Sequence, residues 1–392
     1  MSRRLRQGLI NAGLVVGSLA AMLALLEVTL FTYVLKPDDV LRNVTVNGVV
    51  RYEPGTRATF RHPDGRETLV TINADGWNST KPAYKVERTP GVLRVAVVGD
   101  SYVHGSFVNV DEGFPEVLEK SLARSSTPAE VYRFGMDGAP LSQYLHVLRH
   151  EVGRFKPDVV VVLLIHNDFD ETYRFLQTRY ASSFLKLGVN TAGQVIEFPP
   201  SDFTPGLADR FRDLRTFRYL YYKTNAYLRL KSLVSRYWWG GNEEWSPEFV
   251  SSGVDIRRVS DHDKNDFYAL HVMREMKSVA EANGIKLLFV MDGVREAVYE
   301  GIAPHKYEVG RLNLIAADVT RRLALPFLDL QETFRADYER RRERFEFSYD
   351  WHWNALANRL AGEAIARALV TDPRLLGPKA STAASETLPT TR

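Results

Sequence analysis

The stretch Val92-Leu93-Arg94-Val95-Ala96-Val97-Val98-Gly99-Asp100-Ser101 decides the fold. Val92 to Val98 is a short run dominated by valine, with no polar alternation. That is the signature of a strand covered on both faces. Gly99 ends the run in a tight turn, and Ser101 opens the next segment. Outward from this point the pattern repeats. Gly113 to Ala123 has helical spacing, Val131 to Phe134 is a short strand, Leu141 to Phe155 is helical, and Val159 to Ile165 is another continuous apolar strand. After a long interruption the alternation resumes. Phe267 to Asn283 reads as helix, Ile285 to Met291 as strand, Arg311 to Leu323 as helix, Pro326 to Leu328 as strand, and Ala355 to Val370 as a last helix. Strands alternating with helices predict an α/β fold with a parallel sheet covered on both faces. Ligands then bind at the carboxyl ends of the strands.

Composition narrows the function. The chain has 392 residues, with 51 Lys and Arg against 48 Asp and Glu, a net charge of +3. Charged residues make up 25% and hydrophobic residues 45%, which excludes a disordered or strongly basic nucleic-acid-binding chain. Cysteine is absent, so disulfides, thiolate metal sites and thiol nucleophiles are excluded.

The N-terminus is a different material. Residues 1–8 carry Arg3, Arg4 and Arg6, and Leu9 to Leu35 is an apolar run with one charge, Glu27. As a helix at about 1.5 Å per residue it reaches roughly 40 Å, enough to cross a hydrocarbon core of about 30 Å with tilt. The arginines favour a cytoplasmic N-terminus. The expectation is a single-pass membrane protein, anchored by 9–35, with the rest outside the cytoplasm. A cleaved signal peptide fits less well, because the run continues past the small residues Ala20, Ala21 and Ala24.

Residues 36–90 read as short strands and turns, Val44 to Tyr52 and Thr68 to Asn73, with Pro54-Gly55 and Pro63-Asp64-Gly65 as turn signals. The main domain spans 91–372. Residues 171–262 interrupt it as an aromatic-rich insertion that includes Trp238 and Trp239. The tail 373–392, rich in Ser, Thr, Ala and Pro, reads as disordered.

Four segments carry chemistry. Gly99-Asp100-Ser101 places a hydroxyl at a strand-to-helix turn, where free N–H groups favour an oxyanion. Gly135-Met136-Asp137-Gly138 comes after the second strand, and glycine there lets a backbone N–H approach a ligand. His166-Asn167-Asp168 comes after the strand at 159–165, and the Asn167 amide can donate to a developing negative oxygen. Asp350-Trp351-His352-Trp353-Asn354 is expected to open the last helix. A Ser hydroxyl is a poor nucleophile until a base takes its proton; His352 can be that base and Asp350 its orienting partner. Each segment alone also fits a plain capping or turn role.

Taken together the four blocks resemble the SGNH (GDSL-type) hydrolases, over about residues 92–370. Ile72-Asn73-Ala74-Asp75-Gly76-Trp77 is similar to a segment preceding the hydrolase domain in membrane-anchored members. The resemblance implies a three-layer α/β/α flavodoxin-like domain. It implies Ser101 as nucleophile, His352 as base, Asp350 as its partner, and an oxyanion hole of the Ser101 N–H, Gly138 and Asn167. Tyr102 stands where the family has Leu, and Arg133 where it has Asn. Tyr102, His104, His166 and Trp351 flank the blocks as candidate substrate contacts.

His146 and His150 stand at helical i, i+4 spacing but lack the Glu of the metalloprotease motif, so no metal or other cofactor is assigned. The expected activity is serine ester hydrolysis, on acyl esters of a polysaccharide or lipid, with O-acetyl preferred. Transfer of the acyl group to a sugar hydroxyl by the same residues, or a non-catalytic envelope-anchored binding subunit, are the alternatives. Activity is expected to fall as pH drops through the His352 pKa, at about 6–7.

Overall fold

The computed structural model describes residues 3–174, 184–200, 211–220 and 261–376. Helix α1 (Arg3–Val28) runs on through a π-turn (Leu30–Val34). Its span, Arg3–Val34, has a mean hydropathy of 2.2 and is long and apolar enough to cross a membrane. At its far end the helix is bonded to the folded chain. The Glu27 carboxylate accepts the backbone N–H groups of Arg215 (2.6 Å) and Thr216 (2.8 Å), and Phe31 is buried against Tyr219.

Next come two antiparallel hairpins, β1 (Asn43–Val46) with β2 (Val49–Tyr52), and β3 (Arg57–Arg61) with β4 (Glu67–Thr71). Asn47 and Gly48 both take positive φ (52° and 76°), the turn that joins two twisted strands most directly. Then come β5 (Leu93–Gly99), α2 (Ser101–His104), α3 (Phe114–Arg124), β6 (Ala129–Gly135), α4 (Leu141–His150), β7 (Val159–Leu164) and α5 (His166–Glu171). Within the expected insertion lie the hairpin β8 (Lys186–Val189) with β9 (Val195–Phe198) and the short α6 (Arg215–Arg218). Trp238 and Trp239 fall outside the described residues. The chain resumes with α7 (His262–Ala282), β10 (Lys286–Met291), α8 (Arg295–Glu300), α9 (Gly310–Arg322), β11 (Phe327–Asp329), α10 (Gln331–Arg341), β12 (Glu346–Phe347), β13 (Asp350–Trp353) and α11 (Ala355–Thr371).

Five strands form one parallel sheet in the order β6-β5-β7-β10-β11. Ranked by position in the chain, that order is 2-1-3-4-5, the flavodoxin-like doubly wound topology. Alternate residues face opposite sides. Ala96, Val98, Val160, Val162, Leu287 and Phe289 join a core with residues of α4, α7 and α9. Val95, Val97, Val159, Val161, Leu288 and Val290 join a second core with residues of α3, α10 and α11. The three-layer α/β/α architecture results from these two faces.

The segment before β5 shares the first of those cores through Tyr52, Trp77 and Tyr84, and Arg51 pairs with Glu151 (2.9 Å), both buried. Ordered chain continues past residue 373, since Leu375 is 1% exposed in the second core. The rest of the expected tail lies outside the described residues.

Contrary to expectation, Asp350 to Trp353 do not open the last helix. They form β13, paired antiparallel with β12, and Asn354 is the N-cap, its side chain accepting the Ala357 N–H at 3.1 Å.

Candidate active site

Strand order reverses between β5 and β7, and such a switch point leaves a crevice at the carboxyl edge of the sheet. Ser101 comes two residues after β5. Asp100 caps α2, one carboxylate oxygen accepting the Tyr102 N–H at 2.9 Å. Beside it, the loop after β6 carries Gly138 (φ 70°), and α5 after β7 carries Asn167. These three segments share one edge because β6, β5 and β7 are neighbours in the sheet.

Gly135, at the end of β6, is dictated by close approach. A Cβ there would stand 2.2 Å from the His104 backbone nitrogen and 2.5 Å from the Val103 carbonyl carbon. Gly135→Ala is expected to destabilise by about 1–3 kcal/mol, the usual cost of overpacking, seen as a lower Tm in thermal unfolding. An unchanged Tm would mean that α2 moves freely against β6.

β13 brings His352 to Ser101. Its Nε2 lies 2.8 Å from the Ser101 hydroxyl, and its Nδ1 lies 2.5 Å from Asp350 Oδ1, which also accepts the His352 backbone N–H at 2.8 Å. A carboxylate only accepts, so Nδ1 carries the proton and Nε2 is left to accept from Ser101. Burial lowers the His352 pKa, but the hydrogen bond and charge of Asp350, with the charges of Asp100 and Asp137, outweigh it and raise the pKa above the ordinary 6.5. The Ser101 hydroxyl has a second, longer contact at 3.4 Å to Asp100.

Two buried carboxyl groups, Asp100 and Asp168, and the half-buried Glu171 lie near this edge. Burial raises Asp100 to about 7 and Glu171 to about 7, and lifts Asp168 well above the carboxylate range, with the Asp100 charge adding to it. Glu171 accepts a hydrogen bond from the Asn167 side chain, which fixes one side of that amide.

The flanking candidates divide. Tyr102 is 4% exposed, and its hydroxyl accepts from Arg295 (3.0 Å) and donates to the Trp351 carbonyl (3.1 Å). His104 is buried with its ring against Tyr52, and burial lowers its pKa. His166 is fully buried, bonded to Asn313 at 2.9 Å, and lowered by burial to about 4, so it is neutral. These three are packed into the domain. Trp351 is exposed, its ring 5.9 Å from that of His352.

Sequence reasoning missed other rings near His352. Phe107 stacks on His352 (5.1 Å, 22°) and neighbours Phe347 (6.3 Å), which stacks on Tyr349 (5.6 Å, 16°). Phe107 has φ 71°, a region that bulky residues enter at a cost of about 1–3 kcal/mol. Arg66, from the tip of the β3–β4 hairpin, lies over Phe347 at 4.4 Å and donates to the Tyr349 hydroxyl at 2.7 Å. Arg133, at the position where the resembling family has Asn, is buried and donates to the His104 (3.0 Å) and Val110 (2.8 Å) carbonyls, bracing the loop that presents Phe107.

A scan against protein-family models finds no match, and neither does a search of curated proteins. Solved structures do match. TesA is 14% identical over 72% of this chain and 99% of its own, with a TM-score of 0.39. The acetyl xylan esterase AlAXEase is 13% identical over 71% of this chain and 100% of its own, also at 0.39. A lipolytic protein of the G-D-S-L family from Desulfitobacterium hafniense DCB-2 is 13% identical over 70% of this chain and 99% of its own, at 0.36. These likenesses extend over about seven-tenths of the chain.

Proposed function

We propose that the protein is a serine ester hydrolase of SGNH type, with Ser101 as nucleophile, His352 as base and Asp350 as its orienting acid. One observation carries the reading: the 2.8 Å contact between His352 Nε2 and the Ser101 hydroxyl, in the only tautomer that Asp350 permits. As the Ser101 oxygen attacks the acyl carbonyl, its proton passes to Nε2, and Asp350 holds the imidazolium that forms. The Ser101 N–H, Gly138 N–H and Asn167 amide receive the oxyanion. Collapse of the tetrahedral adduct expels the alcohol, which takes the proton back from His352. Water then attacks the acyl-Ser101 ester with His352 again as base. Turnover of p-nitrophenyl acetate by the purified chain, lost in Ser101→Ala, tests the reading.

The substrate is an acyl ester, preferably O-acetyl, on a polysaccharide. Trp351 and Phe107 beside His352, with Phe347 and Tyr349 next to Phe107, offer flat apolar faces, while Arg66, Asp64 and the Tyr349 hydroxyl form a polar rim. Rings bordered by hydrogen-bonding groups suit a sugar better than an alkyl chain. Tyr349→Ala is expected to raise KM for an acetylated polysaccharide several-fold and leave p-nitrophenyl acetate turnover within about 2-fold, since truncating a stacking ring removes about 0.5–1.5 kcal/mol or more of contact. Equal effects on both substrates would argue against the sugar.

The N-terminal helix is read as a retained single-pass anchor, with the hydrolase domain outside the cytoplasm. Its far end supports retention. Cleavage after the small residues at 20–24 would leave Glu27 and Phe31 as a ragged end, yet both are bonded into the domain.

A further inference from the structure

The strand that presents His352 is poorly held by its own ladder. β13 pairs with β12 at two positions only, Glu346 with Trp353 and Phe347 with Asp350, and the register shifts between them. A ladder that short does not fix a strand to within the fraction of an ångström that proton transfer needs, so other contacts must hold it.

The residues on either side of His352 are both gripped from β10. Asp292 and Arg295 lie just past that strand, and neither has any exposure. One Asp292 oxygen accepts the Trp353 indole N–H at 3.0 Å, and the other lies 3.4 Å from the Arg295 guanidinium. Arg295 donates to the Trp351 carbonyl at 2.5 Å and to the Tyr102 hydroxyl at 3.0 Å, and that hydroxyl donates to the same carbonyl at 3.1 Å. The carbonyl just before His352 thus receives two donors, one from α8 and one from the helix that carries Ser101. The Tyr102 ring also packs against the His352 ring (4.9 Å) and edge-on to Trp353 (5.1 Å).

A guanidinium buried this deeply is costly unless matched by charge. Asp292, and Glu346 at 3.7 Å, supply the match. Stability alone would be served by an apolar side chain of the same volume. What the charge pair adds here is a fixed direction for the donors.

We propose that Arg295 is a positioning residue: paired with Asp292 and acting through Tyr102, it clamps both neighbours of His352 and so sets the distance from the imidazole to Ser101. This rests on the reading of Ser101 and His352 as nucleophile and base.

Two variants test it, Tyr102→Phe and Arg295→Lys, in the full-length chain in detergent with p-nitrophenyl acetate. Tyr102→Phe removes one donor and no charge. Arg295→Lys keeps the charge and loses the fork that reaches carbonyl and hydroxyl together. Each is expected to lower kcat about 10- to 100-fold, in line with the cost of a 1 Å misplacement, with KM changed less than about 3-fold. The downfield proton resonance of the His352–Asp350 hydrogen bond is expected to shift or broaden. A purely structural role would leave that resonance and the kcat-to-KM split unchanged in any variant that folds. Parent kcat and an unmoved resonance in folded Tyr102→Phe overturn the proposal, and that variant decides alone if Arg295→Lys does not fold. Ser101→Ala in parallel separates the two failures: if it retains turnover, the nucleophile reading is wrong, whereas an inactive Ser101→Ala beside a fully active Tyr102→Phe removes only the clamp.

Discussion

Replacing Ser101 with Ala is expected to reduce ester hydrolysis by about 10⁴-fold or more, leaving only the residual rate that oxyanion stabilisation and binding supply, the scale seen when the nucleophile of such a unit is deleted. The expectation comes from geometry. The hydroxyl stands at the first turn of α2, its proton aimed at an imidazole 2.8 Å away, and no other hydroxyl or thiol is bonded to His352 among the described residues. The substitution removes one oxygen from a half-buried side chain whose other hydrogen bond is the long one to Asp100, so the Tm is expected to hold. The same variant is expected to lose covalent labelling by a fluorophosphonate probe. Retained turnover of p-nitrophenyl acetate with an unchanged Tm would sink the serine mechanism.

The second large effect is expected from Asp350→Asn. The carboxylate forces the Nδ1–H tautomer; an amide can present either a donor or an acceptor and no longer does so. A fall in kcat of about 10³–10⁴-fold is expected. The pH dependence gives an independent check. As the proposed base, His352 must be neutral to act, and its pKa is raised above 6.5, burial being outweighed chiefly by the hydrogen bond and charge of Asp350. In the parent, kcat/KM is therefore expected to fall as pH drops through a midpoint above 6.5. Without the Asp350 charge, burial is opposed less, so the residual acid limb is expected at lower pH. A pH–rate profile whose acid limb does not move would show that another group is the base.

The core sheet was legible because β5 and β7 are nearly pure valine and leucine runs, and only strands covered on both faces read that way. The short blocks at 99–101 and 350–352 stood out because the proposed nucleophile, base and acid are chemically distinct residue types. The strand β13 was not. Asp350 to Trp353 take extended form through tertiary pairing with β12, next to a true helix that captures a local reading. Helix α10 escaped because it buries only Gln331, Phe334 and Asp337, leaving no apolar stripe to count. Tyr102, His104 and His166 look like site residues in one dimension. Their burial depends on Arg295, Tyr52 and Asn313, which no spacing rule brings near them.

Ser101 and His352 are separated by 251 positions, one after the first strand of the sheet and the other just before the last helix. A chain still emerging from the ribosome or the membrane has the hydroxyl but no partner for it. On the proposed reading, esterase competence therefore arrives in a single step, when the final helix seats, and truncated or half-assembled copies are expected to be chemically silent toward the esters around them.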